Sequence, residues 1–187
     1  MSPIGSPSAR VAIEMLPAAA AADAGLAAEL TDLVNRVYAS AEEGLWVDGA
    51  TRTTTAEVAE MIAADQVAVA RLDGGIVGAV RIQQLSDTKG EFGMLVADPA
   101  HRDQGIGREL VLFAEDLSRR RGMDVMQLEL LVPREWKHPT KEFLHAWYTR
   151  MGYRPVQTGR IDDSYPHLAP LLAAPCDFVI YHKALAH

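Results

Sequence analysis

The chain has 187 residues, of which 18 are basic and 25 acidic, so its formal net charge is −7, and it contains one cysteine. This length suits a single domain, and a lone cysteine excludes a disulfide framework or a cysteine-based zinc site. The acidic balance argues against broad nucleic-acid binding, which needs a basic surface. No stretch supplies the about 20 apolar residues of a spanning helix, and no basic leader precedes an apolar core. We therefore expect a cytoplasmic protein that binds neither nucleic acid nor membrane.

The first part of the chain predicts one strand and two helices. Residues 1–10 are rich in Pro, Ser and Gly and are expected to form a loose tail. Val11–Met15 predicts a strand, and leucines at helical spacing predict a helix from Asp23 or Gly25 to about Ala41. Residues 42–52 are typical of a loop, after which Thr54 or Thr55 is expected to cap a second helix.

An antiparallel meander is predicted next. Gln66–Leu72 and Ile76–Leu85 flank Asp73-Gly74-Gly75, which is a typical hairpin turn. A second turn at residues 87–90 leads into a third strand, Glu91–Ala97. The middle of the chain should therefore be a small sheet whose last strand runs directly into the chemically informative segment.

The last part of the chain alternates between helices and strands. The expected elements are a helix at Gly107–Arg121 closed by Gly122, a strand at Val125–Val132, a loop at 133–139, a helix at Lys141–Met151 capped by Thr140, and strands at Tyr153–Thr158 and Phe178–Lys183. A Pro-rich connection through residues 165–175 is expected to join the last two strands. The pattern predicts a sheet covered by helices.

The segment between the third strand and the helix that follows predicts an anion site. It reads Arg102-x-x-Gly105-x-Gly107. Free N–H groups at a helix start favour negative charge, and glycine lets the backbone approach a phosphate. The spacing fits neither a Rossmann fingerprint nor a P-loop. By itself the segment is equally typical of a plain strand-to-helix turn.

Two motifs make the chain resemble the GNAT superfamily of N-acetyltransferases. Residues 94–108 resemble its acyl-CoA-binding motif, a strand that often ends in Asp-Pro and leads through Gln/Arg-x-x-Gly-x-Gly/Ala into a helix. Tyr148-Thr149-Arg150-Met151-Gly152-Tyr153 resembles its second signature. The resemblance implies one acetyltransferase domain over residues 1–187. Its expected fold is α/β (α+β), a mixed and mostly antiparallel sheet of about six or seven strands flanked by helices on both faces.

The resemblance implies acetyl-CoA as the co-substrate. It implies that Leu95, Val96 and Ala97 offer strand backbone groups to the pantetheine arm, and that the central strands splay apart there to admit the thioester. The residues implied for the pyrophosphate are Arg102, Asp103, Gln104, Gly105, Ile106, Gly107 and Arg108. The chain departs from the family at Lys141, where an Asn often touches the cofactor; a lysine there would be able to pair with a phosphate instead.

Acetyl transfer to an amine requires that the amine lose a proton and that the leaving thiolate gain one. The resemblance implies Tyr148 as the general acid; the alternative is an aromatic side chain of the core. Glu91 opens the strand before the glycine loop and matches a base found in part of the family, while alternation places Glu91, Gly93 and Leu95 on one face. The alternative for Glu91 is a solvated glutamate at a strand start.

Other residues are open to similar pairs of interpretations. Glu129, in mid-strand, is either a second candidate base or ammonium ligand, or a salt-bridged structural acid. Deprotonation through ordered water would need no single base. For the acceptor pocket, Glu42 and Trp46 in the loop after the first helix offer a carboxylate and a cation–π face, although an exposed acidic loop has the same composition.

The leading functional hypothesis is N-acetylation of the primary amine of a small molecule by direct attack on the thioester, in an enzyme that needs no metal. The alternatives are a protein or peptide N-acetyltransferase, a transferase of a larger acyl group, and a non-catalytic acyl-CoA sensor. A homodimer is an expectation from the resemblance alone.

Overall fold

A seven-stranded sheet forms the centre of the computed structural model, which describes residues 11–186. Its strands are β1 (Ala12–Met15), β2 (Val67–Leu72), β3 (Gly75–Gln84), β4 (Lys89–Ala97), β5 (Val125–Pro133), β6 (Arg154–Gly159) and β7 (Cys176–Ala184). The helices are α1 (Ala24–Ala41), α2 (Thr55–Ala63), α3 (Ile106–Arg120), α4 (Pro139–Arg150) and α5 (Ile161–Ser164). The tail expected at residues 1–10 lies outside the described residues.

The strand order is β1-β2-β3-β4-β5-β7-β6. Every neighbouring pair is antiparallel except β4 and β5, which run parallel. This mixed, mostly antiparallel sheet confirms the fold class that the sequence predicts.

Helices cover both faces of the sheet because successive strand residues point in opposite directions. On one face, Ala68 and Ala70 of β2 belong to the cluster that contains Leu110 of α3. On the other face, Val67 and Val69 belong to the cluster that contains α1 and α2 residues. The side chains of β2 are therefore apolar on both faces of the sheet, as a strand between two helical layers requires.

The predicted helix starts are confirmed for the first two helices and wrong for α4. Asp23 caps α1 by accepting from the Leu26 N–H at 3.0 Å, and Thr54 with Glu57 forms a capping box on α2. In α4 the N-cap is His138 and Pro139 occupies the first turn, instead of the expected Thr140 cap. Proline is favoured there because its fixed φ suits the first turn and its missing N–H costs nothing. The connection after β6 also contains α5, which the sequence did not predict.

The sheet divides between β4 and β5. The two strands pair only through Lys89 with Val125, Gly90 with Met126 and Glu91 with Gln127. Beyond these pairs, β4 stays bonded to β3 and β5 stays bonded to β7. The strands thus separate directly after Glu91, as the resemblance implies.

A bulge in β4 changes which side chains face which layer. Val96 pairs with Ala79 and Gly93 pairs with Arg81, so two residues of β4 lie opposite one of β3, and Met94 has a φ of 50°. Leu95 consequently packs with the α3 face, whereas Met94 packs with the α1 face. The prediction that Glu91 and Leu95 share a face is wrong, because the bulge reverses the alternation between them.

Candidate active site

A cavity of about 840 Å³ lies where β4 and β5 separate. It is lined by the following predicted site residues: Glu42, Trp46, Glu91, Leu95, Ala97, Arg102, Asp103, Gly105, Ile106, Gly107, Arg108, Glu129 and Tyr148. Two other predicted residues are not in its wall: the Val96 side chain is buried on the α1 face, and Gln104 is exposed. The fold therefore gathers most of the predicted site into one space.

One end of the cavity is the start of α3. Gly105 is the N-cap, with a φ of 71° and no side-chain cap, and the first helical hydrogen bond runs from the Glu109 N–H to its carbonyl. The N–H groups of the first turn are thus left for a ligand. A Cβ at Gly105 would meet nothing within 4 Å. Arg102 and Arg108 lie in the adjoining wall beside Asp98 and Asp103, so the free N–H groups of the helix start are the main feature that suits this end to a phosphate.

Close packing of α3 against the sheet holds this helix start in place. A Cβ at Gly78 of β3 would lie 2.7 Å from Ile106 Cγ2 and 2.9 Å from the Val96 carbonyl oxygen. Only glycine fits at this contact. Gly78 was not predicted as important, because a single glycine within a strand carries no signal that distinguishes close packing from a weak strand position.

Tyr148 lies in the cavity wall on the last turn of α4. It is only 6% exposed and packs against Phe92, with ring centroids 6.0 Å apart. Its hydroxyl makes no hydrogen bond to any side chain or backbone group of residues 11–186. Burial raises the pKa of this hydroxyl well above its usual range. A phenol in this state is protonated and available as a donor.

Glu91 is buried and fully engaged rather than solvated. Its exposure is 5%, and its two oxygens accept hydrogen bonds from Gln83 Nε2 at 2.7 Å and from Gln127 Nε2 at 2.8 Å. Both amides come from the strands that flank β4 at the point of separation. They orient the carboxyl group towards Glu129.

Glu129 is the more accessible acid of the pair. It accepts from the Tyr165 hydroxyl at 3.1 Å and has no cation within 4.0 Å among the described residues, so the salt-bridged alternative does not apply. Burial and the adjacent charge of Glu91 raise the pKa of Glu129 to about 7. A carboxyl group with such a pKa exchanges a proton near neutrality.

Glu42 and Lys141 neutralise each other in the interior. Lys141 Nζ lies 2.5 Å from Glu42 Oε1, Trp46 Nε1 donates to the other oxygen at 2.6 Å, and both charged side chains are at most 7% exposed. The suggestion that Lys141 pairs with a phosphate is wrong, because a buried ammonium already holds its counter-ion. Glu42 likewise has no free charge to offer.

Arg52 is a further functional candidate that no sequence motif indicated. It lies in the loop between α1 and α2, lines the cavity, and places its guanidinium 5.1 Å from the centre of the Tyr38 ring. No carboxylate among residues 11–186 lies within 4.0 Å of it. An arginine in a loop has no sequence pattern that would distinguish it from surface charge.

Other residues considered from the sequence lie elsewhere. Trp136, Lys137, His138 and His167 are not in the cavity wall. Cys176 is buried, and its burial raises the pKa of the thiol to about 11, which disfavours a nucleophilic thiolate. Within the described residues no group of three or more His, Cys, Asp or Glu side chains is arranged to hold a metal ion. In the same part of the chain no helix is long and apolar enough to cross a membrane.

Comparison with known proteins agrees with this geometry. Residues 63–155 match the family model described as an acetyltransferase (GNAT) domain. This stretch contains β4, the Gly105 loop, α3 and Tyr148, which form one part of the cavity wall; Glu42, Trp46, Arg52 and Tyr165 lie outside it. The chain belongs to the GNAT superfamily of acetyltransferases. No curated protein matches it.

Solved structures share the fold at low sequence identity. The PaiA N-acetyltransferase of Thermoplasma acidophilum, solved with coenzyme A, is 14% identical with a TM-score of 0.69, over 94% of this chain and 99% of its own. An aminoglycoside 6'-acetyltransferase type Ii is 20% identical with a TM-score of 0.64, over 94% and 98%. N-acetylglutamate synthase of Neisseria gonorrhoeae is 18% identical with a TM-score of 0.62, over 97% of this chain; the match spans only 37% of the synthase.

Proposed function

We propose that this protein transfers the acetyl group of acetyl-CoA to the primary amine of a small molecule. The observation that carries the proposal is one continuous cavity at the β4–β5 separation. It joins an uncapped helix start to the hydroxyl of Tyr148, which has no hydrogen-bond partner within residues 11–186. The first of these suits the phosphates of a coenzyme and the second suits a leaving thiolate. Several structural neighbours were solved with coenzyme A or acetyl-CoA, which supports the same co-substrate.

Acetyl-CoA supplies an activated acyl group, and the residues of the chain position it. The N–H groups that follow Gly105, together with Arg102 and Arg108, hold the pyrophosphate. The unpaired edge of β4 around Leu95 and Ala97 offers backbone groups to the amides of the pantetheine arm. At the bulge of β4, the N–H of Leu95 is the candidate donor to the thioester oxygen as this oxygen gains negative charge.

Proton transfer falls to two groups on the cavity wall. Glu129, with Glu91 beside it, accepts the proton that the acceptor amine must lose. Tyr148 donates a proton to the thiolate of coenzyme A as the carbon–sulfur bond breaks. The amine nitrogen forms a bond to the acyl carbon, so that the products are an N-acetylated amine and coenzyme A.

The walls of the cavity favour a small acceptor over a polypeptide. Trp46 pairs with Leu172 in an isolated bridge, and the Ala173 N–H donates to the Leu45 carbonyl at 2.9 Å. The loop after α1 is thus joined to the segment after α5, beside an end of the cavity that Trp46 and Leu168 line. An acceptor that enters here meets two linked segments instead of an open groove.

Isothermal titration with acetyl-CoA tests the co-substrate. Gly105→Asp places a carboxylate at the phosphate site, and Gly105→Asn is the matched control, because both residues tolerate the positive φ better than most. We expect Gly105→Asp to weaken binding at least about 10-fold more than Gly105→Asn, since charge near a helix start and a phosphate interact directly. Equal binding by both variants would contradict the assignment.

A screen of amines that follows the release of free coenzyme A tests turnover. Tight acetyl-CoA binding without coenzyme A release from any amine or peptide would favour the sensor alternative. Preferential release with peptides would favour the protein acetyltransferase alternative. The cytoplasmic location, the single-domain boundaries and the homodimer stay predictions.

A further inference from the structure

At the acceptor end of the cavity, where Glu42, Arg52 and Glu129 lie, one cation of the described residues has no carboxylate within 4.0 Å. Lys141 and Glu42 neutralise each other, and Arg81 donates its Nε–H to Gln66 Oε1 at 2.8 Å. Glu91 accepts hydrogen bonds from Gln83 and Gln127, and Glu129 accepts one from Tyr165. Arg52 also lines this end of the cavity. Within the described residues its side-chain partner is the neutral Tyr38, and it is paired with neither a carboxylate nor a side-chain amide.

Arg52 is held in place although no carboxylate binds it. Its guanidinium lies against the Tyr38 ring at 5.1 Å, and the side chain is only partly exposed. Glu42, Glu129 and Tyr165 act on its charge through space, which locates it at the acceptor end and not at the phosphate end. A guanidinium that is already oriented and partly desolvated loses little freedom when it takes up a carboxylate.

We propose that the acceptor is an amine that carries its own carboxylate, with Arg52 binding the carboxylate and Glu129 receiving the ammonium. This proposal rests on the proposed function and narrows its substrate class. The two sites have opposite charge in the wall of one cavity, as a zwitterion requires. A polyamine would place a second cation near Arg52, and the repulsion would disfavour it.

Tyr165 links the two parts of this acceptor site. Its hydroxyl donates to Glu129 at 3.1 Å, and its ring packs edge-on against Phe178 with centroids 5.9 Å apart. It therefore positions one carboxyl oxygen of Glu129, while Gln127 Nε2 lies 3.5 Å from the other. Arg52 determines which amines are accepted, whereas Tyr165 orients the group that receives the amine.

The experiment compares amino acids with their own amides. Each of the common L-amino acids and its carboxamide are offered as acceptors, and kcat/KM is measured from coenzyme A release. In the wild-type protein we expect at least one amino acid to exceed its amide by about 10- to 100-fold, the loss typical of a missing charged hydrogen-bond partner. Arg52→Gln should remove this preference by lowering kcat/KM for the acid much more than for the amide, and Arg52→Lys should restore part of it.

Controls separate this proposal from the proposed function. Arg36→Gln removes an exposed arginine of α1 that pairs with Asp32 and lies outside the cavity; it should change neither substrate. Acetyl-CoA binding should be the same in wild type, Arg52→Gln and Arg36→Gln.

Three results would each overturn the acceptor assignment alone. The first is equal kcat/KM for acids and amides, and the second is an equal loss of kcat/KM on both in Arg52→Gln. The third is turnover of neither set by a protein that binds acetyl-CoA. Failure of the wild-type protein to bind acetyl-CoA would overturn the proposed function as well.

Discussion

Two side chains in the cavity wall differ in the protonation state that their surroundings favour. Burial keeps the phenol of Tyr148 protonated at any physiological pH, whereas Glu129 changes state near pH 7. Groups held at separate pKa values in one site are able to act as donor and acceptor in the same reaction. The arrangement therefore assigns direction to the proton: from the amine to Glu129, and from Tyr148 to the thiolate.

Replacement of Tyr148 by Phe tests the donor role. The ring packing with Phe92 stays possible, and the hydroxyl has no protein partner in the described part of the chain whose loss would destabilise the fold. We expect kcat to fall about 100-fold, within the usual range for a general acid, with an unchanged dissociation constant for acetyl-CoA. A variant that keeps its kcat would exclude Tyr148 as the donor.

The pH dependence of kcat/KM tests the acceptor role of Glu129. Because the carboxylate form accepts the proton and the pKa of Glu129 is about 7, activity should fall as the pH drops through this value. Glu91→Gln removes the neighbouring negative charge and should shift the acidic limb to lower pH, whereas Glu129→Gln should remove the limb. An unshifted limb in both variants would mean that another group titrates.

The raised pKa of Glu129 also makes the stability of the fold depend on pH. A carboxyl group whose pKa is higher in the folded than in the unfolded state stabilises the fold below its unfolded pKa, and this contribution is lost as the pH rises through about 7. Glu129→Gln should therefore melt higher than wild type above neutral pH, with a smaller difference in acid, as thermal unfolding at both pH values would show.

At the scale of elements, the contact between β3 and α3 fixes the phosphate end of the cavity. We expect Gly78→Ala to destabilise the protein by about 1–3 kcal/mol, as overpacking does, and to weaken acetyl-CoA binding because α3 must move. Part of the strain is against the carbonyl of Val96, which is backbone and moves only with its strand. Chemical denaturation and titration measure the two effects.

Gly75→Ala is the matched control on the same strand. The nearest atom to its Cβ is the Leu72 carbonyl oxygen at 3.7 Å, an ordinary contact. This variant should keep both the stability and the acetyl-CoA affinity of the wild type. If the two variants behave alike, the close approach of α3 to β3 is not what positions the helix.

Local sequence signals predicted where most helices and strands begin and end, but they did not predict the contacts between these elements. Asp23, the Thr54 capping box and the Asp73-Gly74-Gly75 turn act through neighbours in the chain, so their residue types indicated most element boundaries. The bulge at Met94 and the Glu42–Lys141 pair depend on partners elsewhere; the latter are 99 residues apart. No spacing rule reports such partners, and Arg52 was missed for the same reason.

At the scale of the molecule, the sheet consists of two parts with a ligand site between them. The cluster under α3 includes Val80 from β3 and Leu128 from β5, so it bridges the two parts, whereas Leu131 and Phe178 belong to a separate cluster beyond the cavity. A ligand that fills the space between β4 and β5 contacts both parts. Its binding should therefore stabilise the whole fold.

Thermal unfolding measures this stabilisation. Acetyl-CoA at about 100 times its dissociation constant adds about 2.7 kcal/mol, which for a chain of this length corresponds to a rise in Tm of about 5–10 °C. The shift should be much smaller for Gly105→Asp at the same concentration. No shift in the wild-type protein would show that acetyl-CoA does not bind at this concentration.

The separation of β4 from β5 also divides the backbone amides into two populations. Amides of β4 that point towards β3 lie inside a ladder, whereas those on the other edge beyond Glu91 face the cavity. In deuterated water the amides that face the cavity should exchange much sooner than those bonded to β3, although both kinds belong to the same well-packed strand. Protection that rises selectively at these positions when acetyl-CoA is added would report, amide by amide, how far the bound molecule extends along the strand.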